Sequence, residues 1–308
     1  MRKVSRSGIV SAASSLFLAA TVLAGCSGSH PGETVKADCG LDASDFDAFN
    51  LVPEGSFRFA NHPVYPEEGP AQLVHVDGFE ILSHEVTNAE FAKFVRATGF
   101  VTDAERSIEE GRYGAGSAVF GQLGSQKNME WRLDATATWR TPAGKGSDLR
   151  GRDNYPVVHV SYNDAKAYAD WVGARLPTEV ELEYAIHLGL PDPMRATSGA
   201  FDDAGDPQAN TWQGFFPLYD EGDDGFKGSA PAGCFGPDQL GNFDLIGNVW
   251  EWTSTPAGVG QFIIKGGSYL CSENFCRRYR PEALQRQDRD FSTNHIGFRV
   301  IRDSVKDE

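Results

Sequence analysis

The chain lacks the short motifs that mark several large enzyme classes. None of its seven histidines is paired with another at the spacing of a zinc-binding helix or hairpin, which argues against a zinc hydrolase. There is no GK[ST] phosphate loop, no strand-anchored GxGxxG and no GxSxG nucleophile elbow, and GRYGAGSAVFG is too loosely spaced to replace them. The sequence therefore gives no support for phosphate-loop or serine-hydrolase chemistry.

Positive charge is also scarce. The 308 residues carry 28 basic and 43 acidic side chains, for a net charge of −15. A strongly acidic surface disfavours nucleic acid and anionic lipid as main partners, because both are negatively charged themselves. The same surface is compatible with hard cations such as Ca²⁺.

The N-terminus carries an export signal. Arg2, Lys3 and Arg6 precede an apolar run that is too short and too rich in small residues to span a membrane. The run ends in Leu-Ala-Gly before Cys26, which looks like a bacterial lipobox. We expect cleavage before Cys26 and lipidation of its thiol; the alternative is an ordinary signal peptide with a chance cysteine.

These features predict three segments. Residues 1–25 form the lipoprotein signal peptide, residues 26–44 a lipidated flexible tether rich in small and polar residues, and residues 45–308 one domain. The expected location is outside the cytoplasm, with the protein anchored to the cell envelope by its N-terminal lipid alone. We expect a monomer.

Few segments predict regular structure. Three amphipathic helices are signalled by an N-terminal cap, an apolar stripe and a terminal glycine. Their capping residues are Thr87 with Glu90, Ser161 or Asn163, and Thr178 with Glu181. Strands are predicted at QLVHVDGFEI, YPVVHVSY, QFIIKGGSY and IGFRVIR, whereas 100–155 and 187–245 read as irregular. With 34 glycines, the chain predicts a loop-rich α+β domain.

The five cysteines divide into three groups. If Cys26 is lipidated, an exported protein is expected to oxidise the other four, and Cys39 and Cys234 then suit a long-range disulfide. Cys271 and Cys276 lie in CSENFC, where either a tight-loop disulfide or a pair of thiolates on one soft metal ion such as Cu(I) is possible. Spacing alone favours the disulfide.

An acidic loop, YDEGDDGF, raises the question of calcium. Clustered carboxylates on a turn suit Ca²⁺, but the spacing does not match an EF-hand. Taken alone, the loop is more typical of a solvated acidic turn.

Longer strings of residues point to a family. RLPTEVELEYA, NTWQGFFP, DDGFKGSAP, LIGNVWEWTS, KGGSYLCSENFCRRYR and HIGFRVIRD occur in an order that closely resembles the formylglycine-generating enzymes, also called sulfatase-modifying factors. The resemblance runs from Leu51 to Asp303. It implies a loop-rich variant of the C-type lectin-like fold and an oxidase that uses O2. The expected reaction converts the cysteine of a sulfatase Cys-x-Pro-x-Arg segment to Cα-formylglycine.

The resemblance also assigns an active site. It places the family's two active-site cysteines on Cys271 and Cys276, as Cu(I) ligands that the substrate cysteine joins, and its active-site serine on Ser268. Soft sulfur ligands suit Cu(I), and coordination lowers a thiol pKa. Trp250 and Tyr269 are candidate walls of the peptide cleft, with core packing as the alternative.

Two calcium sites follow from the same resemblance, which reverses the interpretation of the acidic loop. One set comprises Asn210, Asp224 and the carbonyls of Thr211 and Phe226, and the other comprises Asp244, Glu251 and the carbonyls of Gly247 and Val249. All the ligands are oxygens, as Ca²⁺ prefers. The expected role is to brace loops, not to catalyse.

The chain departs from the family pattern at two positions. Leu182 replaces a common tryptophan, which we interpret as a packing change, and Leu284 replaces a common arginine, which bears on peptide recognition. A non-catalytic lipoprotein with the same fold is the main alternative function. An iron-dependent sulfoxide synthase would need a histidine-rich metal site that the sequence does not show.

Overall fold

The fold is known from a computed structural model that describes residues 39–42, 45–111, 115–122, 129–192 and 199–304. The signal peptide, Cys26 and the tether as far as residue 38 lie outside the described residues. The described residues all fall within one compact unit, Glu33–Glu308. No helix within these ranges is both long enough and apolar enough to cross a bilayer.

Four α-helices occur in the described ranges, and each begins with the same device. They are α1 (Asn88–Thr98), α2 (Asp103–Glu109), α3 (Tyr162–Trp171) and α4 (Glu179–Gly189). A Thr or Ser hydroxyl accepts the N–H of the third helical residue, whose carboxylate accepts the cap residue's N–H in return. The three predicted helices are confirmed, and Ser161 is the cap of α3. The short helix α2 lies in a stretch predicted as irregular.

The described strands are short and belong to five small sheets. They are β1 (Phe49–Val52), β2 (Gly55–Phe59), β3 (Gln72–Val76), β4 (Phe79–Leu82), β5 (Ser117–Gln122), β6 (Met129–Asp134), β7 (Gly214–Phe215), β8 (Tyr219–Asp220), β9 (Trp250–Gly258), β10 (Gln261–Lys265), β11 (Leu284–Asp288), β12 (Ile296–Gly297) and β13 (Ile301–Asp303). One sheet has the order β1-β4-β13, another β11-β10-β9-β12, and the remainder are two-stranded pairs.

The strand predictions are partly correct. QLVHVDGFEI contains β3 and β4, QFIIK is β10, and IGFRVIR contains β12 and β13 with a break between them. The prediction of a strand at YPVVHVSY is wrong, because His159 adopts a left-handed φ of 60° that interrupts the extended backbone. The pair β5–β6 and the longest described strand, β9, are not among the predicted strands.

The main core joins the helices to the C-terminal strands through aromatic packing. The Phe91 ring lies 5.2 Å from Trp139 and 6.0 Å from Tyr168, between centroids. Leu182, at the position of the common tryptophan, is fully buried in the same core. This substitution is therefore accommodated by packing, as expected.

A buried ion pair fixes the strand that leads into the cysteine loop. Lys265, the last residue of β10, places its Nζ 2.8 Å from Glu183 Oε2 on α4, and both side chains are buried. Glu183 Oε1 accepts the N–H of Ala60, which follows β2. The end of β2, helix α4 and the end of β10 thus meet at the Glu183 carboxylate, and Lys265 is the residue directly before Gly266.

We expect Lys265→Met to lower the free energy of unfolding by about 3–5 kcal/mol, because it leaves the buried Glu183 without its cation. Urea denaturation measures the loss. The matched control is Lys166→Met, which removes an exposed pair with Asp170 and should change stability by less than about 1 kcal/mol. Equal effects in the two variants would contradict a structural role for the buried pair.

Candidate active site

Two free thiols lie side by side in the loop between β10 and β11. The Sγ atoms of Cys271 and Cys276 are 3.6 Å apart, and neither cysteine is in a disulfide. Cys271 is buried, whereas Cys276 is partly exposed. The structure thus presents a thiol pair of which Cys276 is the member that reaches the surface.

Glycine allows this loop to double back on itself. Gly266 and Gly267 have left-handed φ angles of 91° and 77°, which L side chains rarely adopt. A Cβ on Gly267 would lie 2.7 Å from the carbonyl oxygen of Arg278, so the two ends of the loop touch through backbone. This contact closes the loop that carries both thiols.

Hydrogen bonds then fix the backbone of each cysteine. The N–H of Cys271 donates to the Ser268 carbonyl at 2.9 Å, and the N–H of Cys276 donates to the Ser272 carbonyl at 3.1 Å. The Asn274 amide, midway along the loop, accepts the Phe216 N–H and donates to the Phe216 carbonyl, both at 3.2 Å. The cysteine loop is therefore attached to the 211–217 segment.

The two thiols differ in acidity. The pKa of Cys276 is lowered, chiefly by the hydrogen bond from the Cys271 thiol and further by the positive charge of Arg278. Burial raises the pKa of Cys271 well above its ordinary value. The pair is accordingly a protonated Cys271 donating to a Cys276 that ionises more readily, and thiolate is the nucleophilic and metal-binding form.

The other predicted site residues are all buried. Ser268 is fully buried, and its Oγ accepts the N–H of Leu270 at 3.2 Å. Tyr269 donates its hydroxyl to the Asn294 carbonyl at 3.3 Å. Trp250 is 1% exposed and packs in the main core. The roles of Ser268, Tyr269 and Trp250 toward substrate remain predictions.

An aromatic ridge that the sequence reasoning missed runs away from Cys276. Its members are Phe275, Phe216, Phe120 and Trp131, with successive ring centroids 4.7, 5.2 and 5.3 Å apart. Phe275 is 65% exposed and Trp131 47% exposed, whereas the two rings between them, Phe216 and Phe120, are buried. The position of Phe275 directly before Cys276 was the available signal, but only the fold brings the other three rings into line.

The first predicted calcium set is assembled around Asp224. The buried Asp224 carboxylate accepts the N–H of Thr211 at 3.1 Å and of Phe226 at 2.9 Å. Gln213, which was not predicted, also donates to Asp224 at 3.0 Å. Burial raises the pKa of Asp224. Asn210 lies beside this group, and its amide donates to Asn248. The residues are close together, although nitrogen donors already contact the carboxylate.

The second predicted set fits a cation more clearly. Asp244 and Glu251 are buried with Glu85, which was not predicted, and one guanidinium, Arg299, faces the three carboxylates. Asp244 Oδ1 is buried without a hydrogen-bond partner. Burial raises the pKa of Asp244 to about 6 and that of Glu85 well above its ordinary value. An oxygen-binding cation would neutralise these carboxylates when they are ionised, and protonation is the other way to do so.

Backbone geometry links the two sets. Gly247 has a φ of 80°, and a Cβ there would lie 2.5 Å from the carbonyl oxygen of Asn210. Val249 donates its N–H to Glu85 at 3.2 Å. The GNVWEW segment therefore packs closely against both acidic groups and needs glycine at position 247.

The remaining cysteines form a disulfide. Cys39 is bonded to Cys234 across 195 residues of sequence. Gly233, next to Cys234, donates its N–H to Asp244 Oδ2 at 2.7 Å. The disulfide thus attaches the segment at Cys39 to the loop that contacts the second acidic group.

Leu284, at the position of a common arginine, is buried at the start of β11. Its carbonyl accepts a hydrogen bond from the Arg278 guanidinium. Arg278 also pairs with Glu67, at 2.9 Å. The cationic group at this edge of the cysteine loop therefore comes from Arg278.

Comparisons with known proteins identify the family of this chain. The family described as "Sulfatase-modifying factor enzyme 1-like domain" matches residues 36–304. The formylglycine-generating enzyme of Mycobacterium tuberculosis is 39% identical, covering 82% of this chain and 97% of that relative. The "Inactive C-alpha-formylglycine-generating enzyme 2" of Mus musculus is 38% identical, covering 75% of this chain and 77% of the relative.

The fold has a solved counterpart in PvdO from Pseudomonas aeruginosa. Its TM-score is 0.58 at 22% identity, covering 82% of this chain and 93% of PvdO, and at this identity the likeness speaks for the fold alone. The predicted loop-rich α+β architecture, a variant of the C-type lectin-like fold, is confirmed. The match over residues 36–304 and the 39% identical relative show that the chain belongs to the formylglycine-generating enzyme, or sulfatase-modifying factor, family.

Proposed function

We propose that this protein is a copper-dependent oxidase that converts the cysteine of a sulfatase Cys-x-Pro-x-Arg segment to Cα-formylglycine with O2. The observation that carries the proposal is the free pair of Cys271 and Cys276, 3.6 Å apart and partly open to solvent. A relative of similar identity is named inactive, so overall similarity does not decide activity. Activity would depend on the presence of these two thiols.

The donor set fits Cu(I). Two sulfur atoms at this separation, one of them readily ionised, suit a soft monovalent ion with low coordination number. When bound, copper would supply the one-electron chemistry toward O2 that side chains lack. The loop contributes positioning, because its hydrogen bonds hold both sulfur atoms at a fixed place before substrate arrives.

The aromatic ridge supports binding of an extended polypeptide. Phe275 adjoins Cys276 in the chain, and the rings of Phe216, Phe120 and Trp131 continue from it. Exposed aromatic rings bind apolar side chains and proline with little loss of conformational entropy. A substrate cysteine held at Cys276 would therefore have its flanking residues against the exposed rings of Phe275 and Trp131, which the buried Phe216 and Phe120 support from below, provided that the segment is unfolded.

The overall conversion balances with an external thiol reductant. The Cβ–S bond and one Cβ–H bond of the substrate break, sulfur leaves as hydrogen sulfide, and Cβ gains one oxygen atom as the aldehyde. The second oxygen atom of O2 leaves as water, using two protons and two electrons from two reductant thiols that become a disulfide. The protein's own Cys271 and Cys276 are unchanged over the cycle.

We further propose that Ca²⁺ binds at the two acidic groups and braces the loops around the site. The unpartnered Asp244 Oδ1 and the three buried carboxylates around Arg299 support the second group most strongly. We also propose that the mature protein is lipid-anchored outside the cytoplasm, on the basis of the lipobox-like sequence before Cys26. We propose that it is a monomer. Nucleic acid is not proposed as a partner, given the net charge of −15.

A peptide assay tests the oxidase proposal. Copper-loaded protein, O2 and a thiol reductant are expected to convert a Cys-x-Pro-x-Arg peptide to its aldehyde, detected by mass spectrometry. Cys271→Ser and Cys276→Ser should each lower kcat/KM by at least about 100-fold, because each removes a sulfur ligand.

Matched controls separate chemistry from folding. The double variant Cys39→Ser/Cys234→Ser removes sulfur elsewhere in the chain and should retain turnover while it remains folded. If the wild-type protein binds Cu(I) yet forms no aldehyde, the oxidase proposal fails. A non-catalytic lipoprotein, which the inactive relative also favours, would then be the better function.

Alkylation tests the difference in acidity. In the metal-free protein at neutral pH, iodoacetamide should modify Cys276 before Cys271, because the pKa of Cys276 is lowered while burial raises that of Cys271. Arg278→Ala should slow the reaction of Cys276 by removing a nearby positive charge. Peptide mapping by mass spectrometry gives both rates, and faster modification of Cys271 would contradict the assignment.

Calcium binding should depend on pH through Asp244. Its folded pKa of about 6 lies above its ordinary value, so in the metal-free protein the buried charge destabilises the fold increasingly as pH rises through that value. Ca²⁺ should therefore raise Tm more at about pH 7.5 than at about pH 5, where protons compete for the carboxylate. Asp244→Asn should reduce the Ca²⁺-induced shift, whereas the exposed Asp170→Asn should not. An equal shift in both variants would refute Asp244 as a ligand.

A further inference from the structure

Three side chains that could bind a metal meet on the protein surface, outside the candidate active site. Among the described residues, Glu54, His75 and Asp77 form the group in which one ligand atom from each residue lies within 4.8 Å of the others. All three side chains are exposed. Glu54 lies in the link from β1 to β2, His75 lies near the end of β3, and Asp77 lies in the link from β3 to β4.

The strand register explains why the three side chains share one face. Ser56 is paired with His75 and Gly55 with Val76 across β2 and β3. Extending this register by one position, beyond the ends of both strands, would set Glu54 opposite Asp77, which agrees with the closeness of their carboxylates. Because side chains alternate along a strand, Glu54 and Ser56 lie on the same side as His75 and Asp77.

The backbone at this point is held firmly. Beyond the link, Val52 pairs with Phe79 in the β1–β4 sheet. A Cβ on Gly78 would lie 3.3 Å from the Glu54 nitrogen, and the Ser304 hydroxyl donates to the Gly78 carbonyl at 2.6 Å. The two links therefore lie in close contact, and this contact holds the backbone that carries Glu54 and Asp77 in place.

The imidazole of His75 has the arrangement of a metal ligand. Its Nδ1 is 3.3 Å from Ser56 Oγ, and a proton on Nδ1 would leave Nε2 to bind an ion. Hydrogen bonding at one ring nitrogen commonly orients a histidine that binds metal through the other. One imidazole and two carboxylates form a donor set typical of Zn²⁺ and similar divalent ions, with a fourth position left for water.

We propose that Glu54, His75 and Asp77 form a surface site for a divalent transition-metal ion of the Zn²⁺ class, which clamps the links between the β1–β4 and β2–β3 pairs. The site lies outside the thiol pair and both acidic groups assigned above. It does not depend on the proposed oxidase activity, and either proposal can fail without the other. The ion would act by crosslinking the link between β1 and β2 to the C-terminal end of β3.

Calorimetry with Zn²⁺ tests the site. The background is Cys271→Ser/Cys276→Ser with excess Ca²⁺, so that neither the thiols nor the acidic groups compete. We expect one equivalent of Zn²⁺ to bind. His75→Ala should weaken binding by at least about 100-fold, and Ser56→Ala, which only removes the orienting hydroxyl, by about 10-fold. His62→Ala is the matched control, since His62 is also exposed, and should leave the affinity unchanged.

Imidazole NMR of the wild-type chain gives a second readout that does not need the serine background. Zn²⁺ should shift the His75 ring signals to those of an Nε2-bound, Nδ1-protonated tautomer while the His62 signals stay in place. The proposal is overturned if Zn²⁺ leaves the His75 ring unchanged, or if His75→Ala and His62→Ala bind Zn²⁺ equally.

Discussion

The buried guanidinium of Arg299 is the contact on which the irregular part of this fold depends. It bonds both oxygens of Glu251, at 2.7 and 2.6 Å, and donates to the carbonyls of Phe243 and Leu82. Strands β4 and β9, the C-terminal segment and the loop before GNVWEW therefore meet at one charged group. Because Glu85 and Asp244 add further buried negative charge, this centre is complete only with an additional cation or with protonated carboxylates.

Irregular segments around that centre replace ladder hydrogen bonds with side-chain contacts. The Asn274 side chain makes two hydrogen bonds to the backbone of Phe216, and the Lys265–Glu183 pair fixes the end of β10. Such buried polar contacts are directional, so they specify one conformation of a loop more strictly than apolar packing does. A thiol pair must hold its separation to bind an ion, and loops held in this way can provide that precision.

Sequence periodicity predicted the elements whose signals are local. The capping boxes at Thr87, Ser161 and Thr178 identify three helices, because cap and partner lie three residues apart in the chain. The failure at YPVVHVSY has a tertiary cause: β-branched residues there satisfy the strand pattern, but the backbone turns at His159 to donate its N–H to Thr293. The aromatic ridge escaped prediction because three of its four rings come from segments remote from the cysteine loop.

By itself, the sequence determined the family, the α+β class, the three capped helices and the two cysteines of CSENFC, since ordered motifs and short-range patterns carry that information. Only the tertiary structure decided that Cys271 and Cys276 face each other as free thiols, and that Glu85 joins Asp244 and Glu251. It also decided that Glu54, His75 and Asp77 meet at one place on the surface. These relations join residues that are remote in the chain, or depend on the direction of side chains in an irregular loop. Helix-capping signals and hydrophobic periodicity report only on neighbouring residues, so they do not determine the distances between such groups.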